Sequence, residues 1–348
     1  MSDRIGFAIV GAGMIADIHA LAVAAVPEAR LVAVYARGEG GRRDFAKKHG
    51  CRAVASVAEI VADPEIRAVC ITTPSGAHAE AAVPLLEAGK AVLVEKPMEV
   101  SLAALDRILA AAERGGGVLA GVFQMRFGRG ARLLKAAIDA GRFGRLTLCS
   151  AYIKWWRSQD YYQSSNWKGT WKLDGGGALI NQGIHAVDLL QWLVGLPEEV
   201  SAFAATLAHP GMEAEDTVAA TMRYPSGALG VIEAATSAWP GTDFRIEIMG
   251  DRGSAALSND RIVRWEFADK LPGDDDAMRE DSGAVIKTGA GDPRAMSNEG
   301  HRLLVEDLAR ALRDGRPPMI PGADARRSVS LILAIYESAR TGRPTRLR

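Results

Sequence analysis

The 348-residue sequence predicts an α/β chain in two parts: an N-terminal doubly wound parallel sheet over residues 1–122 and a C-terminal α+β domain over residues 123–348, built on a mostly antiparallel sheet. Three observations predict it. As far as Val122, short runs rich in Val, Ile and Ala alternate with longer amphipathic stretches, the pattern of βαβ units whose strands are covered on both faces. A glycine-rich turn, GAGMIA at 11–16, joins the first apolar run to the first helix-like stretch. Beyond residue 122, strand-like runs follow one another with only turns between them, as antiparallel neighbours do. The chain also exceeds the size at which one core keeps growing, so two domains with a cleft are expected.

In the first part the candidate strands are IGFAIV (5–10), LVAVY (31–35), AVCI with its flank (ending at 71), AVLV (91–94) and VLAGV (118–122). The helices between them include AEAAVPLLEAG (79–89) and SLAALDRILAAAERG (101–115), the second opening on Ser101 as N-cap. In the second part GARLLKAAIDAG (130–141) reads as a helix, LTLCSAYIKWW as a long strand, and the stretch from about Gly177 to Gly195 as another helix. The period-two runs VSAFAATLA, TVAATMRY, ALGVIEAATS and FRIEIMG follow, with turns such as PSG at 225–227. Segments 299–314 and 323–341 are expected to be helices covering that second sheet.

Lys plus Arg and Asp plus Glu both total 42, so the net charge is zero. With no long run of one sign, a nucleic-acid partner or an anionic membrane surface is not expected. The acidic cluster Asp274–Asp276 reads as a solvated loop. Cys51, Cys70 and Cys149 lack the spacing of a zinc site or a disulfide framework, so free thiols and no metal are expected. No apolar run is long enough to span a bilayer and no signal-peptide pattern is seen, so a soluble cytoplasmic protein is expected.

GAGMIA has the strand-to-helix context of the dinucleotide-binding (Rossmann) fingerprint. Gly11 permits the tight turn and Gly13 lets a pyrophosphate approach. Met14 and Ile15 open the helix whose free N–H groups face the phosphates, and Ala16 takes the small third position. At the end of the second strand, where a carboxylate would mark NAD, the sequence has Ala36 and Arg37. An arginine suits a 2′-phosphate, so NADP is favoured over NAD, with Glu39 as a residue that reaches a ribose instead.

VLVEKP ends a strand at the carboxyl edge of the sheet, so Lys96 stands beside the nicotinamide. In a partly dry cleft its pKa drops from about 10.4, and it donates to an oxygen that gains negative charge. GAGMIADIHA, TTPSGAHAEAAVPLLEAGKAVLVEKPM and DGGGALINQGIHAVDLL, in this order, resemble the glucose-fructose oxidoreductase, inositol dehydrogenase and MocA (Gfo/Idh/MocA) family over essentially the whole chain. The resemblance implies that Lys96 is catalytic and that the bond to Pro97 is often cis. It further implies that Thr73, Pro74 and His78, with Glu95 and Lys96, line the cofactor site, and that dimers or tetramers form through the second sheet.

On the helix that starts near Gly177, Asn181 and His185 are four residues apart and share a face, with Asp188 one further turn along. His185 has the right pKa for a general base or acid. Inositol dehydrogenase-like members carry aspartate where this chain has Asn181, which orients a hydroxyl but accepts no proton; the NQGIH version is similar to sugar-nucleotide 3-dehydrogenases of the family. In YIKWWRSQDYYQSSNWKGTW, Trp155 and Trp167 are candidates to stack on a sugar, or to form an aromatic core, and Arg157 or Lys168 to hold a carboxylate or phosphate. Gln124 and Arg126 are expected near the domain junction as substrate residues, with a structural ion pair as the alternative for Arg126. Together these residues predict an NAD(P)-dependent oxidoreductase acting on a secondary alcohol or ketone of a sugar, sugar acid, cyclitol or sugar derivative, as a homodimer or homotetramer. Redox-neutral glycoside cleavage and a non-catalytic sensor are the alternatives.

Overall fold

The computed structural model describes residues 4–279 and 298–347. The chain divides into two compact units, Met1–Gln124 with Asn298–Arg326, and Met125–Ser297 with Arg327–Arg348.

The first unit begins with β1 (Ile5–Val10), α1 (Met14–Ala25), β2 (Ala29–Tyr35), α2 (Glu39–His49), β3 (Arg52–Ala53) and α3 (Val57–Ala62). It continues with β4 (Ile66–Ile71), α4 (His78–Glu87), β5 (Ala91–Val94), α5 (Leu102–Gly115) and β6 (Leu119–Gly121). The sheet order is β3-β2-β1-β4-β5-β6, and all neighbours are parallel. Strand order reverses between β1 and β4, which opens the crevice where doubly wound sheets bind ligands. β1 and β5 are buried along their whole length, because helices lie on both faces. Ser101 caps α5 as expected: its side chain accepts the Ala104 N–H.

The second unit holds α6 (Arg129–Asp139), β7 (Leu146–Lys154), α7 (Gln159–Gln163), α8 (Ile184–Val194), β8 (Glu199–Ala205), β9 (Thr217–Arg223) and β10 (Leu229–Ala235). After them come β11 (Arg245–Gly250), β12 (Gly253–Ser258) and β13 (Arg261–Phe267), and β14 (Thr345–Arg346) closes the opposite edge. The sheet order is β13-β12-β11-β7-β10-β9-β8-β14, antiparallel except where β7 meets β10. In β9, buried Val218, Ala220 and Met222 alternate with exposed residues, so one face is covered and one is open. The hairpin of β12 and β13 is not among the runs expected from the sequence: GSAALS carries three adjacent buried residues instead of an alternation. The helix expected from Gly177 begins as a π-helical turn, Ala178–Gly183, before α8 takes over.

Two helices return at the end, α9 (Glu299–Asp314) and α10 (Gly322–Thr341). α9, expected over the second sheet, packs instead on α1 of the first unit, burying His301, Leu304, Val305 and Leu308. An amphipathic pattern states that a helix has an apolar face; it does not name the surface that receives it. Residues of α10 beyond Arg327 behave as expected: Val329, Ile332 and Ile335 are buried, and Ser338 accepts the β8 Ala202 N–H at 3.1 Å. Asp274, read as solvated, is bridged by the Arg142 guanidinium at 2.7 Å through both oxygens, which holds its carboxyl well below the usual range. The rest of that stretch, 280–297, lies outside the described residues. All three cysteines are free thiols, and among the described residues no helix is long and apolar enough to cross a membrane.

Candidate active site

The turn after β1 is shaped for a dinucleotide. Gly11 has φ +122°, and a Cβ there would lie 2.3 Å from the Thr72 hydroxyl, so only glycine fits. Gly13 caps α1 with no side-chain hydrogen bond to the helix N-terminus. A Cβ built on it meets nothing within 4 Å. Open space above unpaired helix N–H groups fits a pyrophosphate. Ala16 is fully buried where helix and strand pack, Met14 is exposed and Ile15 half-buried. Arg37 is exposed at the end of β2, just before α2. These residues are suited to hold NAD(P) by its phosphates and adenosine ribose.

Two loops follow at the same sheet edge, TTP after β4 and EKP after β5. The Lys96–Pro97 peptide is cis, as the resemblance implied. His78 joins the loops. Its Nε2 lies 2.8 Å from the Thr73 carbonyl, and its Nδ1 lies 3.0 Å from the Pro97 carbonyl and 3.2 Å from that of Met98. Buried between these carbonyls, His78 bridges the two loops, a neutral ring donating from one nitrogen only. Burial lowers its pKa, with the Thr73 carbonyl opposing. Thr73 and Pro74 are half-buried at the loop surface.

Glu95 is likewise buried. Its Oε1 accepts Nε2–H of His19 at 2.9 Å and of His301 at 3.1 Å, and its Oε2 accepts the Lys96 backbone N–H at 3.0 Å. Burial acts to raise its pKa, but the two histidine hydrogen bonds outweigh it and hold the carboxyl well below the usual range. Burial lowers His19, so the ring stays a neutral donor. The side chain expected to touch cofactor therefore anchors the loop that presents Lys96, itself half-exposed. Among the described residues, His19, Glu95 and His301 are the one grouping whose ligand atoms lie close enough for a metal, within 4.8 Å. Both Nε2 atoms are already engaged by the carboxylate. His19 lies inside the GAGMIADIHA motif but was given no role there, and His301 carried no local signal in the sequence.

In the second unit the π-helical turn and α8 bury nearly every side chain from Ala178 to Leu190, and the exceptions are Asn181 and His185, both half-exposed. Asn181 lies in the π-helical turn and His185 in the first turn of α8. Asn181 Nδ2 donates to Asp174 Oδ1 at 2.6 Å. Beneath the turn, buried Glu215 accepts the Gly177 and Leu179 N–H groups at 2.9 Å and the Tyr336 hydroxyl at 2.9 Å. Burial pushes Glu215 up to about 7. A Cβ on Gly177 would lie 1.7 Å from the Glu215 carbonyl oxygen, so the glycine run is a packing requirement. Glu215 and Asp174 were missed because neither lies at helical spacing from His185.

Arg126 is corrected. It is 0% exposed, with Nε and Nη2 donating to the two oxygens of Asp188 at 2.8 Å each. The alternative reading, a structural ion pair, holds. Trp155 is also buried, 5.2 Å beneath the Arg157 guanidinium, and is no platform for a sugar. Arg157 lies 5.5 Å over the Tyr161 ring and Lys168 4.1 Å over the same ring; burial lowers the Lys168 pKa, with Asp174 opposing. Trp167 is half-buried, and Gln124 is buried with its Oε1 unpaired among the described residues.

The comparisons agree with this geometry. Residues 5–122 match the family model "Oxidoreductase family, NAD-binding Rossmann fold", and residues 131–256 match the "GFO/IDH/MocA C-terminal domain". The chain is similar to the inositol 2-dehydrogenase of Rhizobium meliloti, 31% identical over 75% of this chain and 78% of that one. It is 28% identical to the scyllo-inositol 2-dehydrogenase (NAD(+)) of Bacillus subtilis over 100% of this chain and 97% of the other. The WlbA dehydrogenase of Bordetella pertussis, solved with NADH and UDP-GlcNAcA, is 33% identical over 99% of both chains with a TM-score of 0.88. A nucleotide fingerprint, an EKP lysine and a half-exposed Asn181 and His185 on one fold thus lead to one conclusion: the chain belongs to the GFO/IDH/MocA oxidoreductase family, with an NAD-binding Rossmann domain.

Proposed function

We propose that this chain is an NADP-preferring dehydrogenase for a ring secondary alcohol of an anionic, nucleotide-linked sugar. The observation that carries the substrate class is the cationic pair on the Tyr161 ring, half-buried Lys168 with Arg157, itself 5% exposed, in the unit that bears Asn181 and His185. A guanidinium and an ammonium held on an aromatic face suit a sugar carboxylate or phosphate. The likeness to a dehydrogenase that binds UDP-GlcNAcA supports the same class.

When bound, the nicotinamide supplies the hydride acceptor. The α1 N-terminus and Gly13 hold the phosphates, and the Glu95 anchor keeps Lys96 aimed. Lys96 donates to the reacting oxygen, Asn181 orients the hydroxyl, and His185 takes its proton; reduction reverses these roles. The reading requires Lys96 and the Asn181–His185 face to act on one substrate. Preference for NADP is supported by exposed Arg37, for which no side-chain partner is seen among the described residues. Free thiols suit a reducing, cytoplasmic compartment. The open sheet face, with Phe203 84% and Leu229 55% exposed, suits a homodimer or homotetramer, which light scattering would count.

The test follows nicotinamide absorbance with NAD or NADP against nucleotide sugars with and without a uronic carboxylate, free sugars and inositols. Turnover of the carboxylated nucleotide sugar, faster with NADP, is expected. Turnover confined to neutral sugars or inositols would overturn the substrate class, and better use of NAD would overturn the reading of Arg37. Sugar cleavage without net absorbance change would replace dehydrogenation by redox-neutral chemistry.

A further inference from the structure

The residue four before His185 is an amide in this chain, so the carboxylate that would favour a protonated histidine is missing from that position. A carboxylate stands one link behind it. Asp174 is 1% exposed; its Oδ1 accepts Asn181 Nδ2–H at 2.6 Å and its Oδ2 accepts the Gly169 N–H at 2.8 Å. The chain turns back from Asp174 into the π-helical turn through Gly175 at φ +82° and Gly176 at φ +150°. A Cβ on Gly176 would lie 2.4 Å from the Tyr336 hydroxyl, so the approach of Asp174 to Asn181 is built into the glycine run.

We propose that Asp174 is a positioning residue for the reaction: it holds the Asn181 amide with nitrogen inward and oxygen outward, and supplies from behind it the negative charge that favours a protonated His185. The inference rests on the reading of His185 as the group that takes the hydroxyl proton. An amide is planar and two-faced, so a carboxylate on its N–H side leaves its carbonyl as a fixed acceptor on the other. The charge of the Asp174 carboxylate stabilises the imidazolium formed when the hydroxyl proton moves to His185. Among the described residues, the charged or titratable groups around Asp174 include Tyr161, Tyr162 and Lys168, with Arg157 acting on Tyr161 and Lys168. Tyr161 and Tyr162 are raised first by burial and further by Asp174, and Lys168 is lowered by burial while Asp174 opposes.

The experiment is a histidine-labelled NMR titration of the full chain, with His185→Gln assigning the resonance. Asp174→Asn keeps an acceptor for the Asn181 N–H but removes the charge. The His185 midpoint is expected to fall by about half a pH unit or more. An unchanged midpoint would overturn the inference, and this readout needs no substrate. In turnover, Asp174→Asn should lower kcat about tenfold with KM nearly unchanged, and shift the acid limb of the profile to lower pH. Asn181→Asp in the same chain should restore kcat by placing the carboxylate at the family position. A loss not rescued this way, with a wild-type His185 midpoint, would reduce Asp174 to a structural residue. Absence of sugar oxidation in the wild-type protein would instead count against the proposed function alone.

Discussion

Replacing Arg126 with Met should destabilise the second unit and leave ligand binding alone. The guanidinium makes two 2.8 Å hydrogen bonds to Asp188 and lies 5.5 Å from the Trp192 ring, with both ion-pair partners fully buried. Removing it strands the Asp188 carboxylate, whose remaining donors include Ser328 at 2.8 Å and Gln191 at 3.4 Å. Breaking a buried pair in this way costs about 3–5 kcal/mol. In a unit of about 200 residues, where 1 kcal/mol moves Tm by about 2–4 °C, the expected fall is about 6–20 °C by calorimetry. The double variant Arg126→Met/Asp188→Leu, which removes both charges, should recover most of it. A single variant that melts within about 2 °C of the parent while substrate KM rises would refute the reasoning and return Arg126 to the substrate.

Four further outcomes are expected. Lys96→Ala should abolish turnover while nucleotide affinity, read by fluorescence titration, stays within about threefold, because the phosphates are held elsewhere. Gly13→Val should leave Tm unchanged, since nothing lies near its Cβ, yet weaken NAD(P) binding about tenfold or more by filling the phosphate approach; Gly11→Ala should reduce the folded yield itself, because its Cβ would strike Thr72. Glu215, pushed up to about 7 from an ordinary 4.5, keeps its proton in the folded chain where the unfolded chain has lost it. Stability should therefore fall as pH rises between these values and level off above, by about 3 kcal/mol at most; urea midpoints in Glu215→Gln should lose that slope.

What the sequence made legible was local. GAGMIA, the alternating strands, the EKP lysine and the Asn181–His185 spacing each lie within one turn or one element, and periodicity or a motif exposes them. The supports of these groups are distant in sequence: His301 meets Glu95 across 206 residues and His19 meets it across 76, and Tyr336 meets Glu215 across 121. A lone histidine or glutamate carries no sign of such a partner. Arg126 shows the limit from the other side, since arginine is seldom fully buried, and only Asp188 explains its place. The π-helical turn was hidden for a related reason: the N–H groups of Gly177 and Leu179 at its start are held by Glu215, 36 to 38 residues away, and no pattern in ALINQG marks it.

The way α9 returns to the first unit has a consequence for how the protein is made. The nucleotide-binding half leaves the ribosome ahead of the second unit, yet one face of α1 and one hydrogen bond of Glu95 wait for residues that come after most of the other half. The half that emerges first is thus completed late. A fragment ending at Gln124 would expose the apolar surface that α9 covers and leave the lysine loop short of one anchor, so anyone wishing to study this half alone should carry residues 298–326 with it.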